Sequence, residues 1–193
     1  MDWVAFTSYI FVASFTPGPN NIMSMTNGIR VGLRKSLRFN LGVAAGFFVL
    51  MALCSYLSLA LASLLPRFRL AMSLVGAAYM LFLAVKVAFS TDSAPEAASE
   101  APSSFWAGLG LQFLNPKGIM YALTVVGNFL LPHFRSQAFL LVALVLLGFF
   151  AFISTTSWSL FGATFQRLLT RHRRPFNAAM GLLLAYCAVS AFL

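Results

Sequence analysis

Two prolines and a glycine interrupt the first long apolar run of the sequence, which extends from Trp3 to Asn27. They lie in the stretch Thr16-Pro17-Gly18-Pro19-Asn20-Asn21. Proline has no backbone N–H and clashes with the preceding helical turn, so a helix breaks here and leaves carbonyl groups without partners. A bilayer tolerates such backbone only where protein or a water-filled cavity satisfies those groups. All six residues are therefore candidates for a binding site inside a membrane.

The composition supports a membrane protein. The chain is 60% hydrophobic and only 9% charged, whereas a soluble domain is about 25% charged. Because roughly 20 apolar residues span a bilayer, the apolar runs predict an all-α protein with six transmembrane helices. These predicted spans cover residues 3–27, 39–64, 69–89, 105–131, 137–165 and 175–193.

A second break interrupts the fourth predicted span at Leu114-Asn115-Pro116-Lys117-Gly118. Paired breaks in matching halves of a chain are the sequence pattern of a transporter site near the membrane midplane. Gln112 and Asn115 lie within a turn of this break and are expected to line the same cavity, with Pro116 forming the break itself. The sequence therefore predicts one binding site between both breaks.

The segment 90–104 divides the six spans into three plus three. It is rich in Ser, Ala and Pro and holds three of the four acidic residues, which is typical of a flexible linker. Three crossings invert the second half relative to the first, so the pattern predicts two inverted three-helix repeats with broken first helices, at 1–89 and 105–193.

Basic residues predict the orientation of the bundle. Nine flank the connections on one side, and three, Arg67, Arg69 and Arg135, lie on the other. The positive-inside rule then gives cytoplasmic basic loops and two periplasmic termini. The nine are Arg30, Arg34, Lys35, Arg38, Lys86, Arg167, Arg171, Arg173 and Arg174. The net charge of +9 thus reports topology, and no nucleic-acid partner is expected.

The polar groups at the breaks suit a zwitterion. Carbonyls near Ser14 to Thr16 are expected to accept from an ammonium group, while the helix that starts near Asn20 offers N–H groups and a positive dipole end to a carboxylate. Lys117 is the ionisable side chain placed well inside a span; it either pairs with a substrate carboxylate or extends to a membrane surface. Asn20 and Asn21 either bind the ligand or cap the new helix.

Two further patterns leave their roles open. Gly42-Val43-Ala44-Ala45-Gly46 is typical of close helix packing, and could bring span two against the broken span one. The patch Ser154-Thr155-Thr156-Ser157-Trp158-Ser159 either faces the cavity or bonds back to its own helix.

The sequence argues against catalysis and metal binding. His133 and His172 fall in predicted loops, and no acidic residue lies within predicted spans two to six, so a nucleophile with its base or a metal-ligand cluster is not expected. We expect no cofactor. A channel remains the alternative to a carrier, because carbonyls and helix dipoles also line pores.

The chain resembles the LysE/RhtB amino-acid exporters along nearly its whole length, and within them the cysteine/O-acetylserine exporters. The family resemblance rests on the first break with Asn27-Gly28 and Gly32, on Gly42 and Gly46, on Gly76-Ala77-Ala78-Tyr79 with Leu83 and Lys86, and on Gln112-Phe113-Leu114-Asn115-Pro116-Lys117. The subgroup resemblance rests on Ser104-Phe105-Trp106-Ala107, Phe165-Gln166-Arg167-Leu168 and Tyr186-Cys187-Ala188-Val189.

This resemblance implies a bacterial inner-membrane protein that expels small neutral amino acids, driven by the proton motive force. Cysteine and O-acetylserine are the implied substrates, with homoserine, threonine or leucine as alternatives. Membrane lipid surrounds such a protein, and a homodimer is possible.

Overall fold

The computed structural model describes residues 2–60, 74, 77–78, 81–82, 84–85, 88, 103–133 and 136–190. Within these residues every regular element is a helix. Lys86, Tyr79 and residues 90–102 of the predicted linker lie outside the described residues.

Helices end at both sequence breaks. The first helix stops at Phe15 and the next begins at Pro19, while a later helix stops at Leu114 and is followed by one that begins at Pro116. The helices are α1 (Trp3–Phe15), α2 (Pro19–Ala60), α3 (Phe105–Leu114), α4 (Pro116–Thr124), α5 (Gln137–Thr164), α6 (Gln166–Arg171) and α7 (Arg173–Ser190), and the π-helical turn Val125–Leu130 continues α4.

The connection predicted at residues 28–38 is almost entirely helical. Only Gly32 leaves the helical conformation, with φ 76° and ψ 165°. This region of backbone space is essentially restricted to glycine, so a single residue turns the chain between the segments 19–31 and 33–60. The basic residues Arg34, Lys35 and Arg38 therefore lie on the first turns of a helix.

Many polar side chains lie in the interior beside the apolar core, and apolar side chains cover much of the surface. Large hydrophobic residues such as Phe139, Leu146 and Phe149 on α5 are exposed. The buried polar residues are Asn21, Ser24, Asn27, Ser36, Asn40, Ser55, Gln112, Asn115, Ser154, Thr155 and Ser159. A protein surrounded by lipid has this distribution, because its polar groups must find partners inside the protein.

Two described helices are long and apolar enough to cross a membrane, α2 over Pro19–Tyr56 and α5 over Gln137–Thr164. Helices α1 and α3 are shorter, at 13 and 10 residues, because the breaks divide their apolar runs. The six spans and the inverted repeat remain predictions.

Glycines bring three helices into backbone contact. A Cβ added to Gly42 would lie 1.9 Å from the carbonyl oxygen of Phe105, and one added to Gly108 would lie 2.2 Å from that of Phe39. Gly42 and Gly46 therefore pack against α3, while Val43 between them belongs to a buried cluster that includes Met23 of the predicted first span and Leu111 of α3. Gly28 and Gly162 make equivalent contacts between α2 and α5.

Candidate binding site at the two helix breaks

The two breaks lie side by side. The Nζ atom of Lys117 donates to the carbonyl oxygen of Thr16 at 2.8 Å and to that of Pro17 at 3.4 Å. Gly18 permits this approach, because a Cβ at that position would lie 3.0 Å from Cδ of Lys117. Residues about a hundred positions apart in sequence thus share one site.

Side chains donate hydrogen bonds to the carbonyl groups that the first break leaves without helical partners. The Ser14 oxygen accepts from Nδ2 of Asn21 at 2.7 Å and from Oγ of Ser154 at 2.8 Å. The Thr16 oxygen accepts from Nδ2 of Asn21 at 3.0 Å as well as from Lys117. These carbonyls are therefore bonded within the protein in this conformation, where an ammonium group of a ligand was expected.

The side-chain amides of Asn20 and Gln112 pair with each other. They join α2, which follows the first break, to α3, which precedes the second. Asn20 Nδ2 donates to Gln112 Oε1, and Gln112 Nε2 donates to Asn20 Oδ1, each at 3.0 Å. Gln112 is fully buried, so both of its polar atoms depend on protein partners. Asn20 and Asn21 make these contacts across the breaks, which helix capping alone does not explain.

A cavity opens between these groups. Its volume is about 50 Å³. The first turns of α2 and α4 both border it, and first turns leave backbone N–H groups without intrahelical partners. Its lining residues are Ala13, Ser14, Gly18, Pro19, Asn20, Asn21, Val43, Phe47, Asn115, Lys117, Gly118, Tyr121, Ala151, Ser154 and Thr155.

Two buried polar atoms at this cavity lack a hydrogen bond. Asn115 Oδ1 has no partner among the described residues, and its side chain does not cap α4. The Tyr121 hydroxyl lies beside Ser14 but forms no hydrogen bond of acceptable geometry within the described part of the chain. Leaving a buried polar group unpaired costs about 1–3 kcal/mol, so both atoms are open to a partner in the cavity, either water or a ligand.

The predicted site residues take three kinds of position. Six line the cavity: Gly18, Pro19, Asn20, Asn21, Asn115 and Lys117. Thr16 and Pro17 reach it through the carbonyls that bind Lys117, and Gln112 through its bond to Asn20. Pro116 is buried and starts α4, so its contribution is to end α3.

Tyr121 and Phe47 line the cavity but were not identified from sequence. Tyr121 follows Lys117 by four residues, and this spacing places both on one face of α4. Phe47 carries no such signal. In the patch of span five, Ser154 and Thr155 line the cavity. The hydroxyls of Thr155 and of exposed Ser157 both bond back to carbonyl groups of their own helix.

The described residues contain no group of three or more His, Cys, Asp or Glu side chains that could hold a metal ion. Cys54 is half-buried and packs at the edge of the apolar core, while the side chain of Cys187 lies outside the described residues.

The sequence pattern of the LysE type translocators matches residues 11–193. The chain belongs to the LysE family. This LysE-family chain is consequently a membrane transporter of the bacterial inner membrane and not an enzyme.

Curated relatives cover nearly all of the chain. It is 40% identical over 185 residues to the cysteine/O-acetylserine efflux protein of Klebsiella pneumoniae, covering 96% of this chain and 94% of that protein. It is 38% identical to the protein of the same name in Salmonella typhimurium and 37% identical to that in Escherichia coli K12, each over 188 residues with 97% and 96% coverage. No solved structure matches the LysE-family chain.

Proposed function

We propose that this transporter exports cysteine, O-acetylserine and similar small neutral amino acids from the cytoplasm, and that the cavity between the two helix breaks is its substrate site. The observation that carries this proposal is the meeting of both breaks in one cavity, where Lys117 spans them. The names of the relatives supply the substrates, and the chemistry of the cavity is compatible with them.

A neutral zwitterion fits the charges of the cavity. In this proposal the substrate carboxylate is bound by Lys117 and by the N–H groups of the first turns of α2 and α4. Its ammonium group donates to Asn115 Oδ1 and to the Thr16 carbonyl, replacing the Lys117 ammonium there. None of the described residues that line the cavity is acidic, so a substrate with a second amine lacks a counter-ion among them.

We further propose that transport proceeds by alternating access between two inverted three-helix repeats, with residues 90–104 as their linker and both termini in the periplasm. The pairing of Asn20 with Gln112 would link the repeats across the site in the closed state. The same LysE-family chain could assemble as a homodimer through its lipid-facing surface.

The proton motive force is the proposed energy source. Among the described residues that line the cavity, Lys117 and Tyr121 are the titratable ones. Lys117 is the proposed coupling residue, because in the proposed binding step its ammonium moves from the Thr16 carbonyl to the substrate carboxylate.

Purified protein in liposomes preloaded with labelled O-acetylserine tests the proposal, with and without an imposed pH gradient. Saturable release that L-cysteine inhibits, but D-cysteine does not, is the expected result, and the gradient should accelerate it. Release that never saturates would indicate a channel. Release of leucine or threonine but not of O-acetylserine would overturn the substrates while leaving the site in place.

A further inference from the structure

A second group of buried polar residues lies outside the cavity. Ser24, Asn27, Asn40 and Ser159 all have no solvent exposure. They come from both segments of α2 and from α5. We refer to these four residues as the polar stripe.

Three members of the polar stripe are bonded together. Asn40 Nδ2 donates to Ser159 Oγ at 3.0 Å, and Ser159 Oγ donates to the Ser24 carbonyl at 2.9 Å. Asn40 also reaches Thr156 Oγ1 at 3.4 Å. Thr156 and Ser159, which belong to the span-five patch but do not line the cavity, thus bond to Asn40 of the polar stripe.

The side-chain amide of Asn27 is buried without a hydrogen bond to any described residue. Neither Oδ1 nor Nδ2 of Asn27 has a hydrogen-bond partner among the residues that the structure describes, and the same holds for Oγ of Ser24. A leucine at position 27 would carry no unpaired polar atoms, so the asparagine is unfavourable for the stability of this conformation.

The polar stripe continues the cavity toward the basic residues. Asn20 lines the cavity, and Ser24 and Asn27 follow it at four and seven residues, on the same helix face. At 1.5 Å per residue, Asn27 lies about 10 Å from Asn20 along the axis. On α5, Ser159 similarly follows the cavity residues Ser154 and Thr155. Beyond the stripe come Arg30 and Arg34 on α2 and Arg167 after α5.

Backbone contacts between α2 and α5 hold the two helices together at the polar stripe. A Cβ at Gly28 would lie 2.1 Å from the Ser159 oxygen, and one at Gly162 would lie 2.2 Å from the Met25 oxygen. No amino acid can pass between helices packed at this distance. Separation of α2 from α5 at these glycines would expose the polar stripe.

We propose that the polar stripe is the passage through which the zwitterionic amino acid reaches the central cavity from the basic side, and that Asn27 binds it on the way. In this structure the passage is shut by the contacts at Gly28 and Gly162. When α2 and α5 separate, the Asn27 amide offers a donor and an acceptor to the carboxylate and ammonium groups. This inference rests on the proposed transport function.

The first test is Asn27→Leu in the full-length protein, reconstituted beside the wild type. We expect the melting temperature to rise by about 2 °C or more, since an unpaired amide is removed. O-acetylserine release should fall about tenfold or more, with its affinity for the cavity unchanged. Ser36→Ala is the control, because Ser36 is fully buried and its hydroxyl bonds locally, to the Leu33 carbonyl, among the described residues; this variant should transport normally.

The second test measures opening without relying on the substrate. Asn27→Cys is placed in a Cys54→Ser/Cys187→Ser background and labelled with a membrane-impermeant maleimide in vesicles of both orientations, with and without O-acetylserine. Lys35→Cys, at an exposed position, marks the basic side. We expect labelling of Asn27→Cys from the side that labels Lys35→Cys, and more of it when Gly28→Ala is added to prevent close packing.

Two results would overturn the passage. One is wild-type transport by Asn27→Leu. The other is labelling of Lys35→Cys without labelling of Asn27→Cys under any condition. If the proposed substrates are wrong, the wild type will release no O-acetylserine. The labelling experiment would still decide whether the polar stripe opens.

Discussion

At the scale of single residues, Lys117 determines how the two breaks interact. We expect Lys117→Met to reduce O-acetylserine release about 10- to 100-fold, since loss of a hydrogen bond to a charged group costs about 1.5–3 kcal/mol. The measurement is initial release from liposomes, with elution as a single species by gel filtration as the check on folding. Lys35→Met removes an equal charge from an exposed position and should retain transport. Wild-type release by Lys117→Met would remove this lysine from the mechanism.

Tyr121 permits a conservative test of ligand recognition. Tyr121→Phe keeps the ring that packs against Tyr9 and Phe47 and deletes only the hydroxyl that is unpaired in this conformation. We expect KM for O-acetylserine to rise about 2- to 10-fold, the value of one ordinary hydrogen bond, while the melting temperature is equal to or above that of the wild type. Tyr56→Phe, at an exposed tyrosine, should change neither quantity. A lower melting temperature with unchanged KM would make Tyr121 structural.

At the scale of helices, Gly32 carries the turn between the two segments of α2. Gly32→Ala forces a Cβ into a conformation that is nearly exclusive to glycine, although no atom lies within 4 Å to obstruct it. We expect a loss of about 1–3 kcal/mol in the free energy of unfolding, measured in detergent. Gly110→Ala is the control, because Gly110 also has open space but lies within α3; there alanine should be neutral or stabilising by up to about 1 kcal/mol. Equal behaviour of both variants would contradict this account.

Much of the helical pattern could be predicted from sequence, because proline and apolar run length act locally. The breaks at Pro17 and Pro116 follow from such signals, while one site shared by both breaks was expected from the paired-break pattern of transporters. The turn at Gly32 was not predicted. The basic residues suggested a loop, whereas in the structure the positive φ of Gly32 alone turns the chain. The partner of Gly42 and the burial of Asn27 depend on how separate helices pack, and no local pattern specifies that.

At the scale of the whole molecule, the glycine contact between α2 and α3 ties the first half of the chain to the second. It continues from Gly42 and Gly108 to Gly46, which packs against Leu109 and Gln112, and Gln112 in turn holds Asn20. Transport by rocking of two repeats requires this contact to persist as a pivot or to open in each cycle. In either case the backbones of α2 and α3 must come into contact at some stage of the cycle. A methyl group in place of a glycine hydrogen at the contact would prevent this approach.

Gly108→Ala tests that requirement. Its Cβ would lie 2.2 Å from the Phe39 oxygen, so α2 and α3 must separate, at a cost of about 1–3 kcal/mol for an overpacked contact. We expect a lower melting temperature and a loss of release at temperatures where the variant is still folded, because the Asn20–Gln112 pair beyond the contact is pulled apart. Gly110→Ala, two residues along α3 and open to space, should preserve both. Normal release by Gly108→Ala would show that the halves need no close contact here, and would place the pivot between α2 and α5, where Gly28 and Gly162 meet the opposite backbone.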